Sequence, residues 1–509
     1  MTARSRLRSF LAGASLLLAP TSLACAGVAA AIPARPEKIE FKPLVFEPPA
    51  ASDFRRTLSS GVPVYMAPSH EFPLLTITFS FKGGAYLEPA EKTGLAAMTG
   101  AMIRRGGTTT VSAQDMDEKF DFLAANAGAF IGGTSSGASL NCLKSNFDEA
   151  FALFMDMVRN PGFQEDKVKI YRDETIENMK QRNDDADSIA SREWSALFWG
   201  RDHFEGRVPT RATIESISIE DMRAFHRSIF HPGNLIIGVT GDFEPADMME
   251  VLEKALAGWE LPPGGGTIPD PPAPTETPAP GIRYIEKDIP QGKVLIGHKG
   301  IRRDDPDAIP VEIMNDILGG GGFTSRIMSR VRSDEGLAYG AYSMFGNRVY
   351  YPGEFRAGFA SKNSTVAQAL KIVFEEMERI RTEPVSEVEL ETSTNQLIET
   401  FPRRFESKPA MVNLFIDDER TNRPADFWKT YRDRVRAVTA ADVQRVAQTY
   451  LSPGNVAILV VGRWQEIYEG NVATAADPSK AASMRDFFDG VATELPLRDP
   501  LTQEPLSKE

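Results

Sequence analysis

The chain has 509 residues, with 57 Lys and Arg against 70 Asp and Glu for a net charge of −13, and is 42% hydrophobic and 25% charged. That balance excludes wholesale disorder, collagen-like repeats and a coiled-coil rod, and at roughly 100 to 200 residues per domain the length predicts two to four domains, each with its own core. An acidic chain without a Lys/Arg cluster interleaved with aromatics also lacks the electrostatic footprint of a nucleic-acid binder.

Residues 1–9 hold Arg4, Arg6 and Arg8 and no acid, residues 10–19 form an apolar run that ends before Pro20, and Ala24-Cys25-Ala26 offers a small-residue cleavage site. This pattern predicts a secretory signal peptide over residues 1–26, because the run is too short to cross a hydrocarbon core of about 30 Å. A periplasmic location follows, with a lipid anchor at Cys25 as the minor alternative, since Ser22 stands where a lipidation motif usually carries Leu. No later stretch approaches the ~20 apolar residues of a membrane helix. Cleavage removes three positive charges and no acid, so the mature net charge becomes −13 − 3 = −16. It leaves Cys142 as the one cysteine, and its apolar neighbour Leu143 predicts a buried, inert thiol.

In chain order, Val64-Tyr65 and the β-rich run 74–81 read as strands, and residues 93–104 and 113–126 as helices. A strand is predicted over 129–143 and a helix over 166–182. Ser218-x-x-Asp221 is a capping box that opens a helix, and His231-Pro232-Gly233-Asn234 stops that helix and turns the chain into a strand at 235–240. Residues 261–280 carry eight prolines among Gly and Thr, which predicts a stiff, solvated, partly polyproline II linker that joins two parts and lets them change angle. Strands are then predicted at Tyr284-Ile285, 293–298, 337–345 and 354–361, and helices at 365–381 and 386–400. Thr439-x-x-Asp442 opens a further helix, which ends at Ser452-Pro453-Gly454-Asn455 and a strand at 456–461.

The last pattern repeats an earlier one, since 439 − 218 and 452 − 231 both give 221. The strand openings recur at about the same offset. The chain therefore reads as a duplication of one α+β unit of about 220 residues, each unit an antiparallel sheet with helices packed on one face. The expected boundaries are 38–258 for the N-terminal domain, 259–281 for the linker, 282–470 for the C-terminal domain and 471–509 for a C-terminal extension.

The five histidines show no metal-ligand spacing: His70, His203 and His298 stand alone, while His226 and His231 have no acid between them. Asp184-Asp185-Asp187 and Asp417-Asp418-Glu419 lack the alternating oxygens of a calcium loop and read as solvated helix ends. Gly319 to Gly322 are not followed by Gly-Lys-Ser/Thr, so no phosphate loop is expected there.

The block Gly94-Leu95-Ala96-Ala97-Met98-Thr99-Gly100-Ala101-Met102, with Lys82-Gly83-Gly84 before it and Arg104-Arg105-Gly106-Gly107-Thr108 after it, resembles the active-site helix of the pitrilysin-like zinc peptidases. Insulysin and the mitochondrial processing peptidase belong to this family. Its inverted motif, His-x-x-Glu-His, sets two zinc ligands and a catalytic acid on one helix face, with a Glu ligand on a later helix. The matching positions here are Ala97, Gly100, Ala101 and Asn178, the last inside a run from Tyr171 to Arg182 that resembles the family's second ligand helix. These residues supply neither zinc ligands nor a base, so no cofactor is expected in this chain.

A second resemblance starts at Leu318-Gly319-Gly320-Gly321-Gly322-Phe323-Thr324-Ser325-Arg326 and runs to Gly336-Leu337-Ala338-Tyr339. It is similar to the family's second-domain signature, in which an Arg and a Tyr seven residues apart contact substrate, and those positions are Arg332 and Tyr339. Gly336 is expected to end the helix carrying Arg332, with a strand starting at Leu337. The alternative is structural: Arg332 complements a helix end and Tyr339 packs as a half-buried strand aromatic. The resemblance also reaches residues 495–501. It implies an exported, catalytically incomplete subunit that pairs as a heterodimer with a zinc-bearing His-x-x-Glu-His paralogue and acts on peptide. The alternative reading is a stand-alone or homodimeric pseudoenzyme that binds peptides or acts as a scaffold. A structural subunit of a respiratory complex, as in the family's core proteins, fits the leader poorly.

Overall fold

Leu74–Lys82 alternates outward and buried side chains over nine residues, and this period of two places it as the central strand of a sheet. The computed structural model describes residues 45–507, so the predicted leader, with Cys25, lies outside the described residues. The first sheet contains β1 (Arg55–Thr57), β2 (Pro63–Pro68), β3 (Leu74–Lys82), β4 (Asn126–Ile131), β5 (Ser135–Leu143) and β6 (Leu235–Gly241), in the order β1-β2-β6-β3-β5-β4. The second contains β7 (Gly281–Glu286), β8 (Gln291–Lys299), β10 (Ala341–Phe345), β12 (Glu354–Lys362), β13 (Ala457–Gly462) and β14 (Ala492–Glu494), ordered β10-β12-β8-β13-β7-β14. The short parallel pair β9 (Ile301–Arg302) and β11 (Asn347–Arg348) stands apart from both.

The duplication is visible in the topology. Five strands, β4, β5, β3, β6 and β2, find the same neighbours in the same directions as β10, β12, β8, β13 and β7. Only the sixth strand differs: β1 precedes its sheet in sequence, whereas β14 returns from the C-terminal segment. The α+β class holds, but the sheets are mixed rather than wholly antiparallel, because β2 lies parallel to β6 and β7 parallel to β13. Each of those pairs is joined through a long crossover, which a parallel pairing requires. Both capping boxes form: Ser218 Oγ accepts from Asp221 N at 3.1 Å and Thr439 Oγ1 from Asp442 N at 3.1 Å. Two strand expectations need correction. Residues 129–143 are a hairpin, β4 and β5 turning at Gly132-Gly133, and the strand expected from Leu337 begins at Ala341.

One face of each sheet carries its own helices and a large core. Leu95–Arg105, Phe147–Arg159 and Ile219–Ile229 pack on the first sheet; Ala308–Asn315, Val366–Thr382 and Ala440–Tyr450 pack on the second. Cys142 lies in the first core, where burial pushes its thiol up to about 11, consistent with an inert side chain. The opposite faces are covered by exchange between the halves. Helix Ala186–Trp199, from the first half, lays Ile189, Trp194 and Phe198 on Leu295, Leu459 and Val461 of the second sheet. Helix Lys408–Arg420, from the second half, lays Met411, Val412 and Phe415 on Tyr65 and Ala67 of the first. Trp194 also donates its indole N–H to Glu354 at 2.7 Å, and Arg55 meets Glu419 at 2.8 Å.

The Pro-rich linker forms no helix or strand and runs along the first half, where Tyr86 donates to the Pro269 carbonyl at 2.7 Å and His203 meets that of Pro272 at 3.0 Å. The halves are thus joined by the buried faces of the exchanged helices as well as by the linker. The C-terminal segment adds a further tie: beyond β14 it receives hydrogen bonds from Asn183 and Arg182 of the first half, at 2.8 and 3.0 Å.

Candidate functional site

Helix Leu95–Arg105 starts where Glu88 reaches forward to accept from Gly94 N at 3.2 Å and Ala96 N at 2.9 Å, so a buried carboxylate satisfies the first free N–H groups. Along it, Ala97 is exposed, Ala101 half-buried and Gly100 buried. Its neighbour Glu165–Lys180 carries Asn178 on an exposed face, and the two helices are tied by Arg105, which pairs with Glu174 at 2.8 Å and lies over the Tyr171 ring. Methyl groups and a glycine offer no lone pair to zinc, and a single amide completes no site. The residues present do not fit the metal. Geometry adds a second obstacle, since a Cβ on Gly100 would come within 2.5 Å of Ile131 N and 3.0 Å of Phe130 C. Strand β4 packs directly against the helix there, so a Glu cannot be placed at this position without displacing the strand.

The histidines sit elsewhere. His226 is buried and bonded to the Val158 carbonyl at 2.8 Å, with burial holding its pKa down at about 4; His231 and His298 are buried too. His70 pairs with Asp242 at 2.5 Å. Among the described residues no group of three or more His, Cys, Asp or Glu is placed to hold a metal ion. Asp185 caps helix Ala186–Trp199 as a helix-end acid, but the second acidic run is not simply solvated: Asp418 is held by Arg423 and Trp428, and Glu419 bridges to Arg55 of the first half.

In the second half, residues 316–339 wind through two widened helical turns, Asp316–Gly320 and Ser329–Asp334, of the kind that recurs at functional sites. Gly336 ends the second turn at φ +63°, donating to the Arg332 carbonyl at 3.1 Å, while Leu337 N reaches back to Val331 O at 2.9 Å. The Leu337 carbonyl then accepts from Ser361 Oγ at 2.8 Å instead of joining a ladder, which delays the strand to Ala341 and leaves Tyr339 in the connecting bend.

The three arginines of this segment divide clearly. Arg326, only 6% exposed, is held by Glu389 at 2.6 and 3.0 Å, and this pairing, together with the Ser386 cap, brings the Glu389 carboxyl down to about 2. Arg330 is held by Glu375 and Glu376 at 2.8 and 2.9 Å. Arg332 meets no carboxylate at ion-pair distance among the described residues; its guanidinium instead lies 4.6 Å from the Phe323 ring and 4.6 Å from the Tyr339 ring. Tyr339 is 87% exposed and Phe323 also faces outward, so the Tyr is not a packed strand aromatic. A guanidinium held between two ring faces keeps its N–H edge free, and both it and the phenol are positioned before a ligand arrives. Phe323 was not anticipated as part of this group; its signal in the sequence is a bulky aromatic directly after four glycines. The Arg332 group lies in the second half and the Ala97 positions in the first.

These features match two family models: "Insulinase (Peptidase family M16)" over residues 67–206 and "Peptidase M16 inactive domain" over residues 216–397, which together span more than half of the chain. The chain belongs to peptidase family M16. It is similar to a protein called "Non-peptidase homolog YmxG" from Helicobacter pylori, at 23% identity over 79% of this chain and 91% of that protein. It is also similar to "Uncharacterized zinc protease YmxG" from Bacillus subtilis, at 23% identity over 67% of this chain and 82% of the relative. Among solved structures, an M16 inactive domain from Pseudomonas fluorescens superposes with a TM-score of 0.71 at 24% identity, covering 80% of this chain and 97% of that one. The periplasmic protease PqqL from Escherichia coli gives 0.69 at 15% identity, over 83% of this chain and 48% of that one. M16 membership covers both resembling segments, since residues 94–102 fall within the first matched model and residues 318–339 within the second.

Proposed function

We propose that this protein is the non-zinc subunit of an exported heterodimeric M16 peptidase, lending Arg332 and Tyr339 to a site whose zinc is held by a His-x-x-Glu-His partner. The observation that carries this reading is the exposed Phe323–Arg332–Tyr339 stack: a cation with no counter-ion among the described residues and a phenol turned to solvent. Peptide hydrolysis builds negative charge on the carbonyl oxygen, and the Tyr339 O–H together with an Arg332 N–H can donate to it. Neither group generates the nucleophile; zinc in the partner would supply that. The domain plan of the proposal is 38–258, a linker at 259–281, and 282–470, with residues 471–509 as an extension.

Export rests on the leader pattern, and the periplasmic location named for one structural relative is in keeping with it. A second reading, a homodimeric or solitary peptide-binding pseudoenzyme, draws support from the name of the Helicobacter relative as a non-peptidase homologue. Purification from the native source separates the two. The heterodimer reading expects a two-domain M16 chain with intact His-x-x-Glu-His to co-elute with this one, and a mature N-terminus near Gly27. Recovery as a monomer or homodimer, with no zinc-bearing partner at any stage, would favour the pseudoenzyme.

A further inference from the structure

Where the two halves meet, β3, the linker, the β9/β11 pair and the helices Lys408–Arg420 and Phe427–Arg436 surround a cavity of about 700 Å³. Binding pockets for small ligands span roughly 300 to 1,000 Å³. Its lining holds seven cationic and four acidic side chains, a positive site in a chain whose net charge is −13.

Most of those cations are already committed. Lys82 pairs with Asp270 at 2.6 Å, Arg302 with Asp304 at 2.8 Å and Arg423 with Asp418 at 2.7 Å. Arg420 pairs with Asp417, and Arg303 donates to the Thr421 carbonyl and hydroxyl, each at 2.7 Å. Two remain. Neither Arg404 nor Arg434 has a carboxylate at ion-pair distance among the described residues, and both are exposed to the solvent of the cavity. Each is steadied by aromatic faces instead: Arg404 lies 5.4 Å from the Trp428 ring and 5.9 Å from that of Tyr431, and Arg434 lies 4.6 Å from Phe427. Glu312, the half-buried acid of this wall, accepts from Tyr431 Oη at 3.2 Å; burial raises its carboxyl while the nearby Arg404 guanidinium lowers it, and it lies beyond ion-pair distance of Arg404.

We propose that this cavity binds an acidic peptide segment, with Arg404 and Arg434 each taking one carboxylate. Guanidiniums stacked on rings present their N–H forks to planar carboxylates at little further cost in order. In the same lining, Ile309, Pro306 and Val349 offer apolar surface for the uncharged residues of such a segment. A nucleic acid suits the site less well, because the ring faces that would stack bases already carry arginines. The proposal concerns this chain alone and does not rest on the Arg332 and Tyr339 reading, so the two fail separately.

The test is fluorescence anisotropy of the mature chain with a labelled Glu/Ala peptide, and with Lys/Ala and Gln/Ala peptides of equal length. Only the Glu/Ala peptide should bind, more weakly as salt rises. Arg404→Gln combined with Arg434→Gln should weaken it about 10- to 100-fold, since a charge-assisted contact contributes that order. Arg56→Gln with Arg223→Gln, which removes the same charge from exposed sites elsewhere, should leave binding intact. If the Gln pair alters the melting curve, Arg404→Lys with Arg434→Lys keeps the charge and loses the stacked fork, and must still weaken binding. The proposal is overturned by any of these results: no binding of the Glu/Ala peptide, equal binding of the other two, equal loss in the two double variants, or displacement of the peptide by inorganic phosphate at matching concentration.

Discussion

Tyr339→Phe is expected to lower peptide turnover by the complex with the zinc-bearing partner about 10² to 10³-fold, or roughly 3 to 4 kcal/mol of transition-state stabilisation. The substitution removes one hydroxyl from a side chain that is 87% exposed and keeps the ring that stacks on Arg332. Melting behaviour and co-elution with the partner should therefore match the wild type. Arg332→Ala should raise KM as well as lower kcat, because a cation that contacts bound peptide acts before the transition state as well as in it. Steady-state kinetics on the reconstituted complex measures both. Full activity in normally assembled variants would show that these residues take no part in the chemistry, and failure to assemble would make them structural.

The second large effect is on stability, in the segment that presents Arg332. Glu389→Ala is expected to cost about 3 to 5 kcal/mol, because it leaves the Arg326 guanidinium buried without its carboxylate. Helix Glu387–Thr400 also loses the reciprocal Ser386–Glu389 cap, in which Ser386 N donates to Glu389 at 2.8 Å. Replacing both partners with Met should recover most of the loss, since two apolar side chains leave no charge to compensate. The wild-type pair also carries a signature in acid. The Glu389 carboxyl titrates at about 2 in the fold against an ordinary value of 4.5, so its contribution is complete above pH 4.5 and falls away as the pH drops towards 2. Urea midpoints of the single and double variants across that window provide the check, and a loss below about 1 kcal/mol for Glu389→Ala would contradict the account.

Local signals were legible in the sequence where one stretch of chain settles its own geometry. The Ser218/Asp221 and Thr439/Asp442 boxes announced two helix starts at the same offset, and the repeat they define reappears as two sheets with five strands in matching order. The Gly336 stop was equally local, because only its own backbone angle is involved. What stayed hidden depends on distant partners. The pattern of residues 186–199 gives an apolar helix face but not the sheet that receives it, and that sheet belongs to the other half. The strand expected at Leu337 looked continuous until Ser361, in a neighbouring strand, claimed its carbonyl. The spacing from Tyr339 points to Arg332, yet three arginines in that run look alike in sequence; Glu375, Glu376 and Glu389, from later helices, single it out by engaging the other two. The cavity around Arg404 and Arg434 draws on segments from residue 82 to residue 434, a combination no window of sequence displays.

The proposed divided site would account for an arrangement that is otherwise contradictory: an M16 chain with no His or carboxylate at Ala97, Gly100, Ala101 and Asn178, and β4 closed over Gly100, which nonetheless keeps an exposed, preorganised Arg332 and Tyr339. Each feature makes sense if the missing chemistry comes from a second chain. The most direct measurement is zinc content and peptide turnover for this protein alone, for its co-eluting zinc-bearing paralogue alone, and for the mixture. The account predicts no stoichiometric zinc and no hydrolysis from this chain alone, and turnover in the mixture that depends on Arg332 and Tyr339. One tightly held zinc in this chain, or hydrolysis by it in isolation, would contradict that claim.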